Sequence, residues 1–208
     1  TMLRGICKKE NFLDLLENFI LFDHSGGRTA KILARNHQYL GVNEAVKAYQ
    51  ARKLNNGKLG VFWHTQGSGK SYSMVFLAQK IRRKFVGSPT IVVLTDRDEL
   101  NKQISETFEN CGLLGKAKAG QFMATSGDDL INKLRGNPSF IFTLIQKFNQ
   151  PNAQPIYPDH DILILSDEAH RSQYGVFADN MVHLLPTASR IGFTGTPLLS
   201  NDNITERT

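Results

Sequence analysis

The chain has 208 residues, 40% of them hydrophobic, which suits one domain of ordinary size with a substantial core. An excess of 25 Lys and Arg over 19 Asp and Glu gives a net charge of +6, which suits either a polyanionic partner or a solvated basic surface. Cys7 and Cys111 lie far apart and outside any CxxC or Cys/His cluster, so the sequence indicates neither a disulfide framework nor a zinc site. This cysteine usage is typical of the reducing cytoplasm.

Residues 1–28 are predicted to form a helical N-terminal arm and linker. The apolar run over 12–22 carries Asp14 and Glu17 and is much shorter than the roughly 20 apolar residues of a membrane span. It indicates an amphipathic helix rather than a membrane anchor or signal sequence. The Ser25-Gly26-Gly27 run indicates a flexible connection to the second unit, residues 29–208, which ends as a fragment of a longer protein would.

Short β-rich runs alternate with helical patterns after residue 59. The runs are GVFWHT, TIVVLTD, SFIFTLI, DILILSD and RIGFTG, and helical patterns begin at Lys70, Asp98 and Tyr174. The runs are almost continuously apolar, as strands buried on both faces of a sheet are. The chain is therefore predicted to be an α/β domain, with a mostly parallel sheet and helices on both faces.

A glycine-rich turn between the first strand and its helix fits a phosphate-binding loop. The stretch HTQGSGKS matches GxxxxGK(S/T) except that His64 occupies the first glycine position. Backbone N–H groups of such a loop surround phosphates, the lysine reaches the β- and γ-phosphates, and the serine hydroxyl binds Mg²⁺. A glycine turn that happens to precede a helix is the alternative. The predicted ATP-binding residues here are Gln66, Gly67, Ser68, Gly69, Lys70 and Ser71.

The strand DILILSDEAH supplies the carboxylates that an ATPase needs. Asp167 is predicted to hold Mg²⁺ and Glu168 to act as the general base for water, with Lys70 completing the catalytic set. An acidic helix cap is the alternative for an isolated Asp-Glu pair.

DEAH after an apolar strand, together with the GSGKS loop, resembles the first RecA-like lobe of superfamily 2 helicases and translocases. That resemblance implies a RecA-like P-loop NTPase fold, and it places an adenine-reading glutamine at Gln38 in RNHQY, where a polar helix start is the alternative. TDRDEL and TLIQKF resemble the family's DNA-backbone motifs, and GFTGTP resembles its coupling motif. The residues so implied for DNA binding and coupling are Thr95, Arg97, Gln146, Lys147, Thr194, Gly195 and Thr196.

The stretches WHTQGSGKS, DEAHRSQYG and GFTGTP are similar to sequences of the motor (restriction) subunit of type I restriction enzymes. In that family a histidine is expected at the position of His64. The resemblance implies ATP- and Mg²⁺-dependent translocation of double-stranded DNA and remote cleavage, with modification and specificity subunits as partners and no membrane. The family's PD…(D/E)xK nuclease site is not matched, because the triplet Glu168-Ala169-His170 downstream of Pro158-Asp159 lacks the lysine, and Pro158 is interpreted as a turn before the strand. Its second lobe, with a transition-state arginine, is also unmatched, so this fragment is expected to be nearly inactive alone.

Two other functions stay open on the sequence. Another superfamily 2 helicase or remodeller, acting on RNA or DNA, would share the same motor motifs. A nucleotide-gated interaction module that does not hydrolyse ATP is the alternative of another class, although Glu168 argues against it because such a module needs no water-activating carboxylate.

Overall fold

The computed structural model describes residues 5, 7–63, 65, 67–150, 153–167 and 174–195. The strands in these ranges are β1 (Ile20–Asp23), β2 (Ala30–Leu33), β3 (Lys58–Trp63), β4 (Thr90–Thr95), β5 (Phe140–Leu144), β6 (Ile162–Asp167) and β7 (Ser189–Thr194). The helices are α1 (Lys9–Asn18), α2 (Asn36–Gln50), α3 (Lys70–Lys84), α4 (Asp98–Asn110), α5 (Ala119–Phe122), α6 (Gly127–Arg135) and α7 (Tyr174–Leu184). Within the described ranges, no helix has the length and apolar character needed to cross a bilayer.

Five strands pair in parallel in the order β3-β7-β6-β4-β5. They coincide with the five β-rich runs of the sequence to within about two residues at each end. Because every pairing is parallel, the carboxyl ends of all five strands meet at one edge of the sheet. The predicted α/β architecture is confirmed, and the described residues at the carboxyl ends of the five strands lie along that edge.

Alternate residues of one strand enter two separate cores. Ile91 and Val93 of β4 pack with α2, α3 and α4, whereas Val92 and Leu94 pack with α6 and α7. All four side chains are fully buried. The continuous apolar runs therefore reflect burial on both faces of the sheet, and the prediction of helices on both faces is confirmed.

The N-terminal segment differs from its prediction. Its helix ends at Asn18, and the next residues form β1, which pairs antiparallel with β2 in a hairpin with a 3-10 turn at Ser25–Gly27. Phe19 and Leu21 lie in the same core as the sheet. The predicted helix over 12–22 is thus wrong in its second half, because the run FILF places alternate side chains in the core as a strand does. Residue 28, the predicted boundary, falls between the two hairpin strands.

Arg82, near the end of α3, is half-buried. Its guanidinium donates hydrogen bonds to the carbonyl oxygens of Pro89 and Ser139 and to the Ser139 hydroxyl. It also lies 5.2 Å from the centre of the Phe140 ring. Arg82 therefore ties α3 to the amino ends of β4 and β5.

Gly41 lets α2 pack closely on β3. A Cβ atom at this position would lie 2.2 Å from Cζ of Phe62, whose ring stacks on Phe193 with centroids 5.2 Å apart. The glycine is therefore required by packing rather than by backbone conformation, and it holds the first turn of α2 beside the phosphate loop.

Replacing Gly41 with alanine is expected to destabilise the protein by about 1–3 kcal/mol through overpacking against Phe62. In an ordinary helix interior the same change stabilises by about 0.5–1 kcal/mol. Gly120→Ala in α5 is the control, because no described atom lies within 4 Å of its added methyl. Urea unfolding measures both variants, and a Gly41→Ala protein as stable as the parent would contradict this packing.

Candidate nucleotide-binding site

The loop between β3 and α3 has the backbone of a phosphate-binding loop. Gly67 and Gly69 adopt φ angles of 77° and 91°, a left-handed region that residues with a side chain rarely adopt. Gly69 directly precedes the first residue of α3, so the first N–H groups of that helix face the loop. Both glycines thus take a backbone conformation that suits a phosphate-binding loop, while His64 and Gln66 lie outside the described residues.

The residues that follow the turn start the helix at the sheet edge. Ser68, Gly69, Lys70 and Ser71 are half-buried, whereas Gly67 is exposed. A helix N-terminus carries a partial positive charge, and its first N–H groups have no partner within the helix. The arrangement can therefore receive an anion, and the half-buried side chains remain accessible to one.

Lys70 and Asp167 meet at the carboxyl edge of the sheet. Lys70 Nζ lies 2.7 Å from Asp167 Oδ1, and the two side chains are 22% and 4% exposed. Asp167 ends β6 and Lys70 begins α3, so residues almost a hundred positions apart form one charged pair. The structure thus brings together the two predicted motifs for phosphate and metal. Glu168 and His170 lie outside the described residues.

Gln38 bridges α2 to the phosphate loop. Its Oε1 accepts a hydrogen bond of 2.9 Å from Arg35 N–H, and its Nε2 donates to Gly69 O and Ser73 Oγ, each at 3.1 Å. The side chain is 4% exposed. Gln38 belongs to the start of a helix, as one interpretation of RNHQY has it. It also contacts the phosphate loop, which is compatible with the other interpretation, a nucleotide-binding role.

The predicted DNA residues after β4 and β5 lie beside the nucleotide site on the same edge. Arg97 extends a side chain that is 58% exposed, and exposed Gln146 donates a 3.0 Å hydrogen bond to Asp96 O. Thr95 is fully buried, with its hydroxyl 3.4 Å from Arg97 O. Gln146 therefore joins the loops that follow β4 and β5.

The remaining coupling residues are more enclosed. Lys147 is half-buried and donates a hydrogen bond to the carbonyl oxygen of Ala124. Thr194 is fully buried at the end of β7, where it is paired in register with Trp63, and Gly195 follows it half-buried. Thr196 lies outside the described residues. Arg97 and Gln146 are thus the members of the described set that expose their side chains most.

Two side chains of α3 make polar contacts that no sequence motif predicts. Tyr72 donates its hydroxyl hydrogen to Asp23 in β1, and Lys80 donates to Asp14 in α1 and to Asn43 in α2. Lys80 is 5% exposed, although it interrupts a helix face that is otherwise apolar or small. That interruption is the one sequence signal that marks Lys80, whereas nothing local marks Tyr72.

Gln38→Ala is expected to lower the free energy of unfolding by about 1–3 kcal/mol, because it leaves the Arg35 N–H, the Gly69 carbonyl and the Ser73 hydroxyl without this partner. It should also weaken ATP and GTP binding by the same factor, since the contacts fix the loop rather than the base. Calorimetric titration of both nucleotides measures this. Gln38→Glu separates the two contacts, because its carboxylate still accepts from Arg35 N–H but cannot donate to the Gly69 carbonyl, so it should also weaken the binding of both nucleotides. A loss larger for ATP than for GTP would mean that the amide reads adenine.

Residues 37–208 match the SWI2/SNF2 ATPase family. The type I restriction enzyme HindI endonuclease subunit of Haemophilus influenzae is 39% identical, over 99% of this chain and 21% of that subunit. A putative type I restriction enzyme MjaIXP endonuclease subunit of Methanocaldococcus jannaschii is 35% identical, over 98% of this chain and 20% of that subunit. The chain thus spans about a fifth of the length of these curated relatives.

Solved structures agree on the fold. The UvsW helicase of bacteriophage T4 superposes with a TM-score of 0.63 at 17% identity, over 96% of this chain and 64% of that one. The Sulfolobus solfataricus SWI2/SNF2 ATPase core, in complex with double-stranded DNA, gives 0.60 at 18% identity, over 92% and 36%. The RecA-like fold is thereby confirmed, as is the resemblance to type I restriction endonuclease subunits. The chain belongs to the SWI2/SNF2 ATPase family.

Proposed function

We propose that the chain is the ATP-binding lobe of a type I restriction enzyme motor subunit, which in the whole protein couples ATP hydrolysis to translocation of double-stranded DNA and remote cleavage. The observation that carries the proposal is the 2.7 Å contact between Lys70 and Asp167, which joins the phosphate loop to the acidic strand. The identity of 39% with a restriction endonuclease subunit supports this over other motors of the superfamily.

The residues fit Mg·ATP. Backbone N–H groups of Gly67, Ser68 and Gly69 would surround the phosphates, in a turn whose φ angles at both glycines leave the backbone open to an anion. The open space where a Cβ of Gly67 would lie, free of other described atoms within 4 Å, suits the same role. Ser71 and Asp167 offer oxygen ligands, which Mg²⁺ prefers, and the phosphates would complete its shell. Gln66, where the resemblance places it, would extend the loop.

Lys70 and Asp167 have complementary roles in this site. Each neutralises the other in the structure, and each would gain a new partner of opposite charge when Mg·ATP binds. Lys70 would bind the β- and γ-phosphates, and Asp167 would hold the metal, which supplies Lewis-acid stabilisation of charge on the phosphates. The buried carboxylate therefore keeps a compensating cation in both states.

Hydrolysis requires a base close to this pair. Glu168 follows Asp167 directly in the sequence. We assign it the role of general base, which accepts the proton of the attacking water as the general bases of other ATPases do. The arginine that stabilises transition-state charge belongs, in the resembling family, to a second lobe that the 208 residues do not match. The catalytic set of this chain is accordingly Lys70, Asp167 and Glu168.

Double-stranded DNA is the proposed partner of the loops that follow β4 and β5, beside the nucleotide site on the same edge of the sheet. Arg97 and Gln146 expose polar groups there, and the net charge of +6 favours a polyanion. Lys147, Thr95, Thr194, Gly195 and Thr196 would support this surface or couple it to the nucleotide site. Modification and specificity subunits as partners, and a cytoplasmic location with the DNA, complete the proposal.

Mg·ATP is expected to bind the chain, and Lys70→Ala is expected to abolish binding, because it removes the phosphate cation and leaves Asp167 without its partner. Glu168→Gln should keep binding, since it alters the base and no phosphate contact. Lys47→Ala, which removes an ammonium of a 70% exposed pair with Glu44, is the matched control and should bind as the parent does. Calorimetry measures all four. A parent that does not bind, or a Lys70→Ala that binds normally, would contradict the assignment.

ATP turnover by the 208-residue chain is expected to be very slow and almost unchanged by DNA. An arginine finger is worth about 10³ to 10⁵ in rate, and the family supplies it from the second lobe. Phosphate release, measured with and without a DNA duplex and with an RNA duplex of the same sequence, tests this. Brisk hydrolysis stimulated by DNA would refute it. A separate binding titration of the two duplexes distinguishes the substrates, and tighter binding of the RNA would favour an RNA helicase.

A further inference from the structure

Two polar ties join the N-terminal segment to α3, at different distances from the phosphate loop. Asp23 in the hairpin accepts a hydrogen bond from Tyr72, two residues after Lys70. Asp14 in α1 is paired with Lys80, ten residues after Lys70 and thus about 15 Å further along the helix. The chain therefore carries one tie at the phosphate loop and a second tie, between the same segments, far from it.

The Asp23 carboxylate is buried, and both of its oxygens accept hydrogen bonds. Asp23 is 5% exposed, and its Oδ1 accepts a second hydrogen bond of 2.8 Å from Ser25 N–H. The hydrogen bond to Asp23, followed by burial, raises the pKa of Tyr72 to about 12, so the phenol remains a donor near neutral pH. Burial opposes ionisation of Asp23, but the hydrogen bonds from Tyr72 and Ser25 outweigh it and lower its pKa.

Two contacts from upstream side chains hold the first turn of α3. Gln38 donates to the carbonyl oxygen of Gly69. The Tyr72 side chain is fixed by Asp23, and its ring Cδ2 lies 3.9 Å from where a Cβ of Gly69 would stand. Gly69 has a left-handed φ and carries no side chain of its own, so the orientation of its peptide groups depends on these neighbours.

We propose that Asp23 and Tyr72 are positioning residues for the phosphate loop, through which the N-terminal hairpin sets nucleotide affinity. Neither residue touches the phosphates. They fix the first turn of α3, and with it Lys70 and the loop N–H groups, in the orientation that phosphates require. The nucleotide readout of this inference rests on the proposed function.

The Asp14–Lys80 tie provides a matched control. Asp14 also accepts hydrogen bonds from Asn18 at 2.9 Å and Asn43 at 3.4 Å, and Lys80 lies 4.7 Å from the centre of the Phe19 ring. Loss of the Asp14 charge leaves a buried ammonium poorly compensated, so Asp14→Asn should destabilise the protein at least as much as Tyr72→Phe does. Any effect of global stability on the loop would then appear in both variants.

The experiment compares the parent, Tyr72→Phe, Asp23→Ala, the double variant and Asp14→Asn. Calorimetry gives the Kd of Mg·ATP, and hydrogen exchange of residues 67–73 in the nucleotide-free protein reports loop order without any ligand. We expect Tyr72→Phe and Asp23→Ala each to raise the Kd about tenfold, because each removes the hydrogen bond between the phenol and the charged carboxylate, and the double variant to do little more. Both single variants should also accelerate exchange at 67–73.

Asp14→Asn should leave the Kd and the exchange of residues 67–73 within about twofold of the parent while lowering Tm. The positioning role is overturned if Tyr72→Phe leaves exchange at 67–73 unchanged, or if Asp14→Asn accelerates it equally. It is also overturned if the Kd values follow Tm alone. A parent that fails to bind Mg·ATP would overturn the proposed function instead, while the exchange comparison still decides the positioning role.

Discussion

The ion pair between Lys70 and Asp167 is the contact on which the site depends. β3 and β6 are not neighbours, because β7 lies between them, and strands about 4.8 Å apart place their axes about 10 Å from each other. A lysine at the first position of the helix that follows β3 has the length to cross that gap. Asp167 is almost fully buried, and a buried carboxylate is costly unless a cation compensates it. The same pair therefore stabilises the acidic strand end and orients the start of α3 before any nucleotide arrives.

The strand order divides the edge into two halves that share one boundary. The loop after β3 and the end of β6 form the charged half, and the loops after β4 and β5, tied together by Gln146, form the other. β7 contacts both β3 and β6, with Trp63 paired to Thr194 and Asp167 paired to Phe193. A shift in the position of the end of β7 would therefore reach the charged half through both β3 and β6. This arrangement suits the coupling role that the GFTGTP motif at the end of β7 implies.

The local sequence predicts the parallel sheet well and the ties around it poorly. Five strands and the helices at residues 70, 98 and 174 are evident from apolar runs, glycine turns and helical periodicity, because burial on both faces leaves a continuous signature. β1 has four residues, too few to separate a strand from a helix by periodicity, and its partner lies across a turn. Gln38, Arg82 and Tyr72 find their partners 31, 57 and 49 residues away, and such pairings follow from the assembled fold alone.

These distant pairings also explain why α3 encloses polar side chains beside its apolar ones. Eight of its fifteen residues are buried, and apolar contacts with the sheet account for most of them. Apolar packing is non-directional. It holds a helix against a sheet, but it only weakly determines how the helix is rotated or shifted on that sheet. Ser73, Tyr72 and Lys80 instead require particular partners at particular positions, because an unmatched buried polar group is costly. These directional contacts therefore fix the rotation and the position of α3, and with them the start of the helix at Lys70. Gln38 and Asp23, the partners at the loop end of α3, both precede the glycine turn in the chain, so the upstream segment helps to hold the start of the helix that carries Lys70.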